Sequence, residues 1–587
     1  MSNSIKRIIA TIIIIISLTS SLPVISETLP DTQKFSDVPK NSISYKAIHN
    51  LRAMNVFEAA ANNKFGYGKP ITKSEFISII VKLMKCPLYK PEKGSFSDNQ
   101  NKNKAYFSYI ETALKYGIIK KDSPTVRPVS YLTREEMAVM LVRYMGYDTL
   151  AVQKSISSEK PFSDITRNAG YISIARDFGI VGAKSGTSYA PNETVKKEDA
   201  ALYLFSAYEK INSKIKEMNA FYALNAFRQK DMIKSLSSVS FGWSRLEYDK
   251  DNKKVFLNME DNDNADFYLP EGFSIPFNTA REYTATTQLS IYASQETLVW
   301  NDEKNSYTGL LELALSDKES RKSIVESIIE KIVLTKDDNA SISFDGVVID
   351  FECLKGKKLR DNFNSFITEL KPELKRLNKK LYVAVHPKRK NQSYYDGYDY
   401  KTIGNISDKV ILMAHDYNAT SLTETDMKNN YTLTPLTPID EIYYALKAIT
   451  DKKDGVADVN KIWLQISFGT AQWQSKDNSV INKNAKTPSY EQIRDRIINK
   501  DNMKNVTISY SKIFENPYVK YYNEKENIHN RIWYEDSRSV IAKIKLAKMF
   551  GIKGISLWRL GNIPDFEEVK GKAMYLDIWQ QILKTYR

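Results

Sequence analysis

Cysteine and histidine are both scarce in this sequence. Its 587 residues include two cysteines, Cys86 and Cys353, and four histidines. Two cysteines this far apart exclude the disulfide framework of a small secreted domain. Because the histidines do not cluster with cysteines, a structural zinc site is not expected either. The sequence therefore predicts no metal and no cofactor.

Long apolar runs are also lacking, except for one at the N-terminus. Lys6 and Arg7 precede apolar residues 8–18, and Val24-Ile25-Ser26 follow in a more polar segment. This order predicts a signal peptide over residues 1–26, cleaved after Ser26. A retained membrane anchor is the alternative, although the run is short for a bilayer span. We expect an exported protein, and export without disulfides favours a bacterial surface over eukaryotic secretion.

The charge is unbalanced, with 85 basic and 70 acidic residues and a net charge of +15. A basic protein favours a polyanionic neighbour, which could be nucleic acid, an acidic membrane surface or an anionic wall polymer. No block of lysines and arginines is interleaved with aromatic residues, so nucleic acid is the weakest of the three. The length allows several small domains, or one large barrel with small modules.

The first third of the chain contains a threefold repeat. Each copy opens with Phe-Ser-Asp, followed by an amphipathic helix, a loop with Gly or Pro and a second helix. The second helices start at Thr72-Lys73-Ser74-Glu75, at Thr133-Arg134-Glu135-Glu136 and at Lys196-Lys197-Glu198-Asp199. In the first two copies the threonine and the acid three residues later predict a capping box.

These units resemble S-layer homology domains, with boundaries at 27–87, 88–150 and 151–206. The resemblance implies an α-rich bundle of three repeats that binds a pyruvylated polysaccharide of the Gram-positive cell wall in grooves between repeats. The family's early tryptophan is missing from every unit, and the third unit lacks the threonine. Matched by position, the implied wall-polymer-binding residues are Asp37, Lys73, Asp98, Arg134, Asp164 and Lys197.

Each of these residues also has a structural alternative. The aspartates could cap a local turn, and the basic residues could lie at a solvated helix start.

Residues 207–237 have helical spacing and many charges, without Gly or Pro. They predict a linking helix rather than a flexible tether.

The pattern changes at about residue 238, where short apolar runs alternate with amphipathic stretches. This alternation predicts βα units around a parallel sheet, and residues 238–587 suit a (β/α)8 barrel with insertions. The third of the eight strands is expected within 310–340. The other seven strands are predicted at 239–243, 287–293, 346–351, 381–385, 410–414, 462–468 and 554–558.

One of these strands carries two acids at its end. Residues 344–349 are mostly apolar, and Asp350 and Glu352 follow two positions apart. Residues i and i+2 of a strand point to the same face, about 6.5 Å apart. Two carboxylates with little solvent raise each other's pKa, and such a pair suits glycoside hydrolysis. The alternative is an ordinary strand end whose acids face water.

Several motifs in order resemble glycoside hydrolase family 18. Residues 345–352 read Asp-Gly-Val-Val-Ile-Asp-Phe-Glu, in which Val348 replaces the middle aspartate of the family signature. Met413-Ala414-His415-Asp416, with Tyr417 after it, matches the sixth-strand motif, and Trp558 matches the eighth-strand tryptophan. Val348 and residues 532–537 are similar to the branch containing spore-cortex and peptidoglycan hydrolases.

The resemblance implies a mechanism in which the 2-acetamido group of the substrate attacks the anomeric carbon. Glu352 would be the general acid and then the base, and Asp350 would orient the acetamido group. Asp416, with Tyr417 or His415, would contact the acetamido group and sugar hydroxyls. Trp558 would form the floor of the −1 subsite. With Val348 in place of an acid, the pH optimum is expected to shift.

Further residues are assigned on weaker grounds. Trp243 is expected to line the sugar cleft together with Trp473 and Trp533. Asp345 and Met413 are candidate substrate contacts, although Asp345 could instead hold the start of the strand. On an alternating strand Cys353 would point away from Glu352 and be buried and inert.

The sequence therefore favours a wall-anchored enzyme that cleaves β-1,4 bonds of glycans containing N-acetylglucosamine. Peptidoglycan is the favoured substrate and chitin the alternative. A carbohydrate-binding protein without turnover is a second hypothesis, but such family members typically lose the acid that Glu352 supplies here. A purely structural surface-layer protein is a third. We expect no nucleic acid partner and no membrane association after signal cleavage.

Overall fold

The chain divides into two compact units, which meet in sequence between Asn212 and Ser213. The predicted signal peptide lies outside the described residues. In this computed structural model the described residues are 34–58, 63–156, 160–223, 225–262, 266–302, 305–336, 340–389, 395–418, 420–498, 503–569 and 571–586.

The first unit is helical, as the repeats predict. Both expected capping boxes are present, since Thr72 and Thr133 each accept a hydrogen bond from the amide of the glutamate three residues on. Each repeat places a short first helix before a longer second helix. The helices are α1 (Tyr45–Ala53), α2 (Lys73–Met84), α3 (Phe107–Lys115), α4 (Arg134–Tyr144), α5 (Asp148–Ser155), α6 (Ala169–Asp177) and α7 (Lys197–Asn212).

A closed triangle of backbone hydrogen bonds joins the three repeats. Ile71 donates to the carbonyl of Val195, Val195 donates to Leu132, and Leu132 donates to Ile71, at 2.9–3.0 Å. Each of these residues lies just before the second helix of its repeat, and all three side chains are buried. The second helices are therefore held at their N-terminal ends by one shared set of bonds.

The second unit is built on a closed barrel of eight parallel strands. Neighbouring strands pair in chain order, and β8 pairs with β1 to close the ring. The predicted (β/α)8 fold is confirmed. The barrel strands are β1 (Glu217–Tyr222), β2 (Ser238–Asp249), β3 (Thr286–Ser294), β4 (Gly346–Glu352), β5 (Lys380–Val385), β6 (Lys409–Leu412), β7 (Ile462–Ser467) and β8 (Gly554–Trp558).

Two predictions about this region are wrong. The linking helix predicted over residues 207–237 does not exist beyond Asn212, because β1 and a 3-10 helix (Ala226–Ser235) follow. The strand that the sequence left unassigned is thus the first, not the third. Within 310–340 the chain instead forms helices Leu310–Ala314 and Lys318–Val333 and the short strand Thr335–Lys336.

The barrel helices and an inserted sheet complete this unit. The insertion follows β7 and forms a five-stranded sheet of antiparallel pairs, made of Ala471–Lys476, Ser479–Val480, Met503–Ser511, Asn516–Asn523 and Ile528–Trp533. Other short strands are Lys254–Asn258, Leu298–Asn301, Ser306–Gly309 and Ser341–Ile342. The further helices are Ser274–Glu282, Gly356–Arg376, Tyr400–Ile406, Glu424–Lys428, Ile439–Ile449, Val459–Lys461, Tyr490–Ile498, Ser537–Met549 and Ile578–Thr585.

Side chains fill the barrel interior, so it is a packed core. A half-buried Trp558 packs against this cluster from the end of β8. The cluster comprises Phe221, Val348, Tyr382, Ala384, Ile411, Met413 and Trp463. Among the helices of the described residues, none combines the length and the apolar composition that a bilayer span requires.

Candidate active site

The C-terminal end of β4 places two carboxyl groups on the inner face of the barrel. Val348 lies in the interior cluster, and strand alternation puts Asp350 and Glu352 on the same side above it. Tyr292 and Ser294 of β3 are the register partners of these two acids. Active sites of parallel barrels are built at this end of the strands.

Asp350 is buried, with 3% of its surface exposed. Its Oδ1 atom has no hydrogen-bond partner among the described residues. Burial raises the pKa of Asp350 well above its usual value, and the neighbouring Glu352 raises it further, while His415 opposes the shift. The apolar Val348, which lies below Asp350 in the interior cluster, offers no hydrogen bond to its carboxyl group.

Glu352 is less enclosed and lies at the barrel mouth. Burial raises its pKa, and the charges of Asp416 and Glu296 add to this, whereas His415 lowers it. A carboxyl group with a raised pKa can donate a proton near neutral pH, which is the requirement for a general acid.

His415 lies just after β6, and its side chain contacts Gln465 of β7. Its Nδ1 atom lies 2.6 Å from Oδ2 of Asp416, and its Nε2 atom lies 2.6 Å from Oε1 of Gln465. Burial alone would lower the pKa of His415, but Asp416, Gln465 and Glu352 together raise it. His415 in turn lowers the pKa of Asp416 against the opposing effect of burial. His415 and Asp416 therefore form a hydrogen-bonded pair beside the two acids, in which each group favours the charged form of the other.

A cavity of about 380 Å³ opens beside Glu352 and is lined by the residues that follow β4, β5 and β6. The buried Tyr417 contributes a hydroxyl group that no described residue satisfies. Met413 lies in its wall, and the Arg389 guanidinium lies 5.5 Å from the Tyr417 ring. A cavity of this volume, lined by charged and aromatic side chains, suits a ligand with polar groups.

The prediction that Cys353 points away from the site is wrong. The strand ends at Glu352, and Cys353 has a left-handed backbone with φ of 63°. This reversal brings its side chain into the cavity wall beside Glu352 and His386. Candidate metal-ligand atoms of these three residues lie within 4.8 Å of one another. Burial raises the pKa of the Cys353 thiol and lowers that of His386 to about 3.

Trp558 lies at the C-terminal end of β8, and its role as the floor of a sugar subsite stays a prediction. It is half-buried at the end of β8, and its ring lies 5.1 Å from Phe221 in an edge-on arrangement. The exposed part of the ring is available at the barrel mouth. One end of the barrel therefore holds seven of the predicted site residues, which are Glu352, Asp350, Asp416, His415, Tyr417, Met413 and Trp558.

Three predicted tryptophan contacts lie outside this site. Trp243 is buried in an aromatic cluster with Phe273 and Phe344, on the helix side of the strands. Trp473 and Trp533 are buried in the core of the inserted sheet, where their indole N–H groups donate to the Thr434 hydroxyl and the Thr432 carbonyl. The indole N–H groups of Trp473 and Trp533 are therefore satisfied within the protein, away from the cleft.

Asp345 also lies outside the site, at the opposite end of β4. Its carboxylate accepts hydrogen bonds from the amide and the hydroxyl of Thr287 and from Arg281. It holds the start of the strand, which is the alternative that the sequence offered.

Sequence reasoning missed Gln465, His386 and Arg389 as well as the orientation of Cys353. A signal existed for three of them. Gln465 is a polar residue flanked by apolar residues in β7, and His386 and Arg389 lie within four residues of the C-terminal end of β5. The reversal at Cys353 has no sequence signal, because a cysteine rarely adopts positive φ.

In the first unit the three aspartates hold turns. Asp37 accepts hydrogen bonds from the amides of residues 65–67, and Asp98 accepts those of Val126 and Arg127. Asp164 accepts the amides of residues 189 and 190 and the Ser188 hydroxyl, which lower its pKa to about 2. The geometry supports the structural alternative for all three.

Two of the basic residues link neighbouring repeats through the capping-box glutamates. Lys73 lies 2.6 Å from Glu136, and Lys197 lies 2.8 Å from Glu75. Arg134 is buried and donates to backbone carbonyls, with its guanidinium 4.5 Å from the Tyr189 ring. Of these three, Lys73 lines a cavity of about 210 Å³ between the first two repeats, together with Glu136, Arg127 and Arg143.

Comparison with known proteins agrees with these observations. The family model described as glycosyl hydrolases family 18 matches residues 201–562, and the S-layer homology domain model matches residues 34–77, 95–138 and 161–201. Three S-layer homology domains indicate association with the cell surface or cell wall.

Among individual relatives, the cortical fragment-lytic enzyme of Bacillus subtilis is 25% identical over 51% of this chain and 62% of its own length. Exoglucanase XynX of Acetivibrio thermocellus is 28% identical over 32% of this chain and 17% of its own length. The chain thus spans less than two thirds of either relative. The solved spore cortex-lytic enzyme SleL of Bacillus cereus aligns with a TM-score of 0.47 and 19% identity, over 64% of this chain and 75% of that one.

Proposed function

Because the chain belongs to glycosyl hydrolase family 18, we propose that its barrel hydrolyses β-1,4 bonds of glycans that contain N-acetylglucosamine. Peptidoglycan is the favoured substrate. The observation that carries the proposal is the pair Asp350 and Glu352, two acids with raised pKa on one inner face at the C-terminal end of β4.

The pair supports a retaining mechanism assisted by the substrate. Glu352 protonates the glycosidic oxygen, while the substrate's acetamido oxygen attacks the anomeric carbon in place of an enzyme nucleophile. The bond to the leaving sugar then breaks, and an oxazolinium intermediate forms. Glu352, now ionised, removes a proton from the water that opens this intermediate, which regenerates the acid.

The neighbouring groups have roles that fit this sequence of steps. The unpartnered Oδ1 of Asp350 is free to orient the acetamido group and to stabilise the positive charge that develops on it. Asp416 and Tyr417 line the same cavity, where the carboxylate of Asp416, oriented by His415, can bind sugar or acetamido groups. The accessible part of the Trp558 ring can stack on the apolar face of the sugar.

Two findings favour peptidoglycan over chitin. One relative is a cortical fragment-lytic enzyme, aligned over 307 residues. The three S-layer homology domains associate the enzyme with the wall, where peptidoglycan is the abundant glycan. We propose a Gram-positive wall, reached by export through residues 1–26 and held through a pyruvylated polysaccharide. Lys73 and the arginines of its cavity supply positive charge for that polymer.

The test is to incubate the purified chain with peptidoglycan and, separately, with chitin oligosaccharides, and to identify new reducing ends by mass spectrometry. We expect N-acetylglucosamine ends from peptidoglycan, and none with Glu352→Gln. Cleavage of chitin alone would transfer the proposal to chitin. Binding of both glycans without cleavage of either would replace the enzyme by a carbohydrate-binding protein.

A further inference from the structure

Three chemically different metal ligands meet in the wall of the same cavity. The Cys353 thiol, a ring nitrogen of His386 and a carboxylate oxygen of Glu352 all lie within 4.8 Å of one another. Glu352 ends β4, Cys353 directly follows it, and His386 directly follows β5. We propose that these three residues form a binding site for a divalent cation of the zinc class, and that the cation, when bound, blocks Glu352.

The backbone creates this cluster. If β4 continued past Glu352, its alternation would turn the thiol of Cys353 to the other face of the sheet. The left-handed backbone at Cys353 turns the side chain back toward the cavity instead. A non-glycine residue in this region of backbone conformation is strained, and such strain concentrates at functional sites.

His386 supplies a second, independent observation. Its Nε2 atom is buried and has no hydrogen-bond partner within the described part of the chain. The ring is held by Tyr395, stacked at a centroid distance of 4.1 Å, and by Tyr398 at 5.9 Å. A buried ring nitrogen without a partner is costly in an apo protein, and a metal ion would satisfy it.

The donor set selects the class of metal. Thiolate and imidazole suit zinc and its neighbours, whereas magnesium and calcium require oxygen ligands. In a tetrahedral zinc site the ligand atoms lie about 3.5 Å apart, so side-chain movements of roughly 1 Å would close the site. Three protein ligands leave the fourth position for water. On binding, the metal–sulfur bond forms and the thiol proton passes to solvent.

Bound metal would act as an inhibitor of the proposed hydrolase. A Glu352 carboxylate held by a cation cannot carry the proton that the leaving group needs. This consequence rests on the proposed function, whereas metal binding does not. The two are therefore measured separately.

The binding experiment uses cobalt(II), because a thiolate ligand gives it a charge-transfer absorption band. We expect the reduced full-length chain to show this band with one cobalt per chain, and zinc to displace the cobalt while magnesium does not. Cys353→Ser should abolish the band, and His386→Asn should weaken binding by more than about tenfold. Cys86→Ser is the matched control, because Cys86 is the only other cysteine, and it should leave the band intact.

A second measurement does not depend on the folding of any variant. Zinc should slow the alkylation of Cys353 in the unmodified chain without slowing that of Cys86, as measured by mass spectrometry of the peptides. The absence of the cobalt band, its persistence in Cys353→Ser, or equal alkylation of Cys353 with and without zinc would each overturn the site. If zinc binds but hydrolysis continues, the proposal that bound zinc blocks Glu352 is wrong.

Discussion

The Nε2 atom of His415 lies 2.6 Å from the Oε1 atom of Gln465 on the neighbouring strand. The other ring nitrogen faces the carboxylate of Asp416 at the same distance. Both partner atoms are acceptors, which favours the form of the imidazole with a proton on each nitrogen and agrees with the raised pKa of His415. The positive charge of His415 lowers the pKa of both Asp350 and Glu352 against the effect of burial. Gln465 is thus a positioning residue that acts on the acids through His415.

Replacing this glutamine should shift the pH profile of hydrolysis. Gln465→Met removes the acceptor on Nε2, so His415 loses its proton at lower pH. The pKa values of Asp350 and Glu352 then rise, and both limbs of the profile move to higher pH. Initial rates measured across the pH range test this. Gln580→Met, on an exposed helix position, is the control, and a lower rate without a shifted profile would contradict the coupling.

Asp350 should make the stability of the protein depend on pH. Its folded-state pKa is raised, so the folded chain binds this proton more tightly than the unfolded chain does. The resulting stabilisation is complete below the unfolded-state pKa and is lost as pH rises through the folded-state value. The side chain of the Asp350→Asn variant cannot ionise. The melting temperature of this variant, relative to that of the wild type, should therefore increase as pH rises. Asp251→Asn, in an exposed loop, should show no such trend, and a constant difference for Asp350→Asn would refute the assignment.

The ion pair of Glu535 and Lys543 is buried, with side-chain exposures of 3% and 2%, and its atoms lie 2.7 Å apart. Lys543→Met leaves a buried carboxylate without its counter-charge, which should cost about 3–5 kcal/mol of unfolding free energy. The double variant with Glu535→Gln removes both charges and should lose less. Denaturant unfolding measures both values. Equal losses would show that the uncompensated charge is not the cause.

Lys73 should contribute to wall attachment. It lines the cavity between the first two repeats and is paired with Glu136. Lys73→Met removes a positive charge from this cavity and should weaken co-sedimentation with isolated walls by about tenfold. The control is Lys82→Met, whose lysine pairs with the exposed Glu58 outside the cavity. Equal binding by the two variants would assign attachment to another surface.

The parts of the fold that local pattern specifies could be predicted from the sequence. Short-range periodicity predicts seven barrel strands and the two acids of β4. Capping patterns predict the helix starts of the first two repeats. The strand Glu217–Tyr222 was missed because it mixes polar and apolar residues and follows a charged helix. Its pairing with β8 joins residues more than 300 positions apart, which no local pattern encodes.

The site was only partly predictable for a related reason. Residue type assigned Trp243, Trp473 and Trp533 to the sugar cleft, but burial within aromatic clusters decides their place. Cys353 was assigned by strand alternation, and a single left-handed residue reversed that result. Gln465 and His386 gain their roles from neighbours on other strands, so the closed barrel is needed to find them.

In the proposed mechanism, Glu352 transfers the proton in glycan cleavage. The most direct test of this step compares the initial rates of reducing-end release from peptidoglycan by the wild type, Glu352→Gln and Glu296→Gln. We predict a loss of about 100- to 10,000-fold for Glu352→Gln, which keeps the shape but not the proton. Glu296→Gln, an exposed acid near the same cavity, should retain most of the rate. Undiminished hydrolysis by Glu352→Gln would contradict the account.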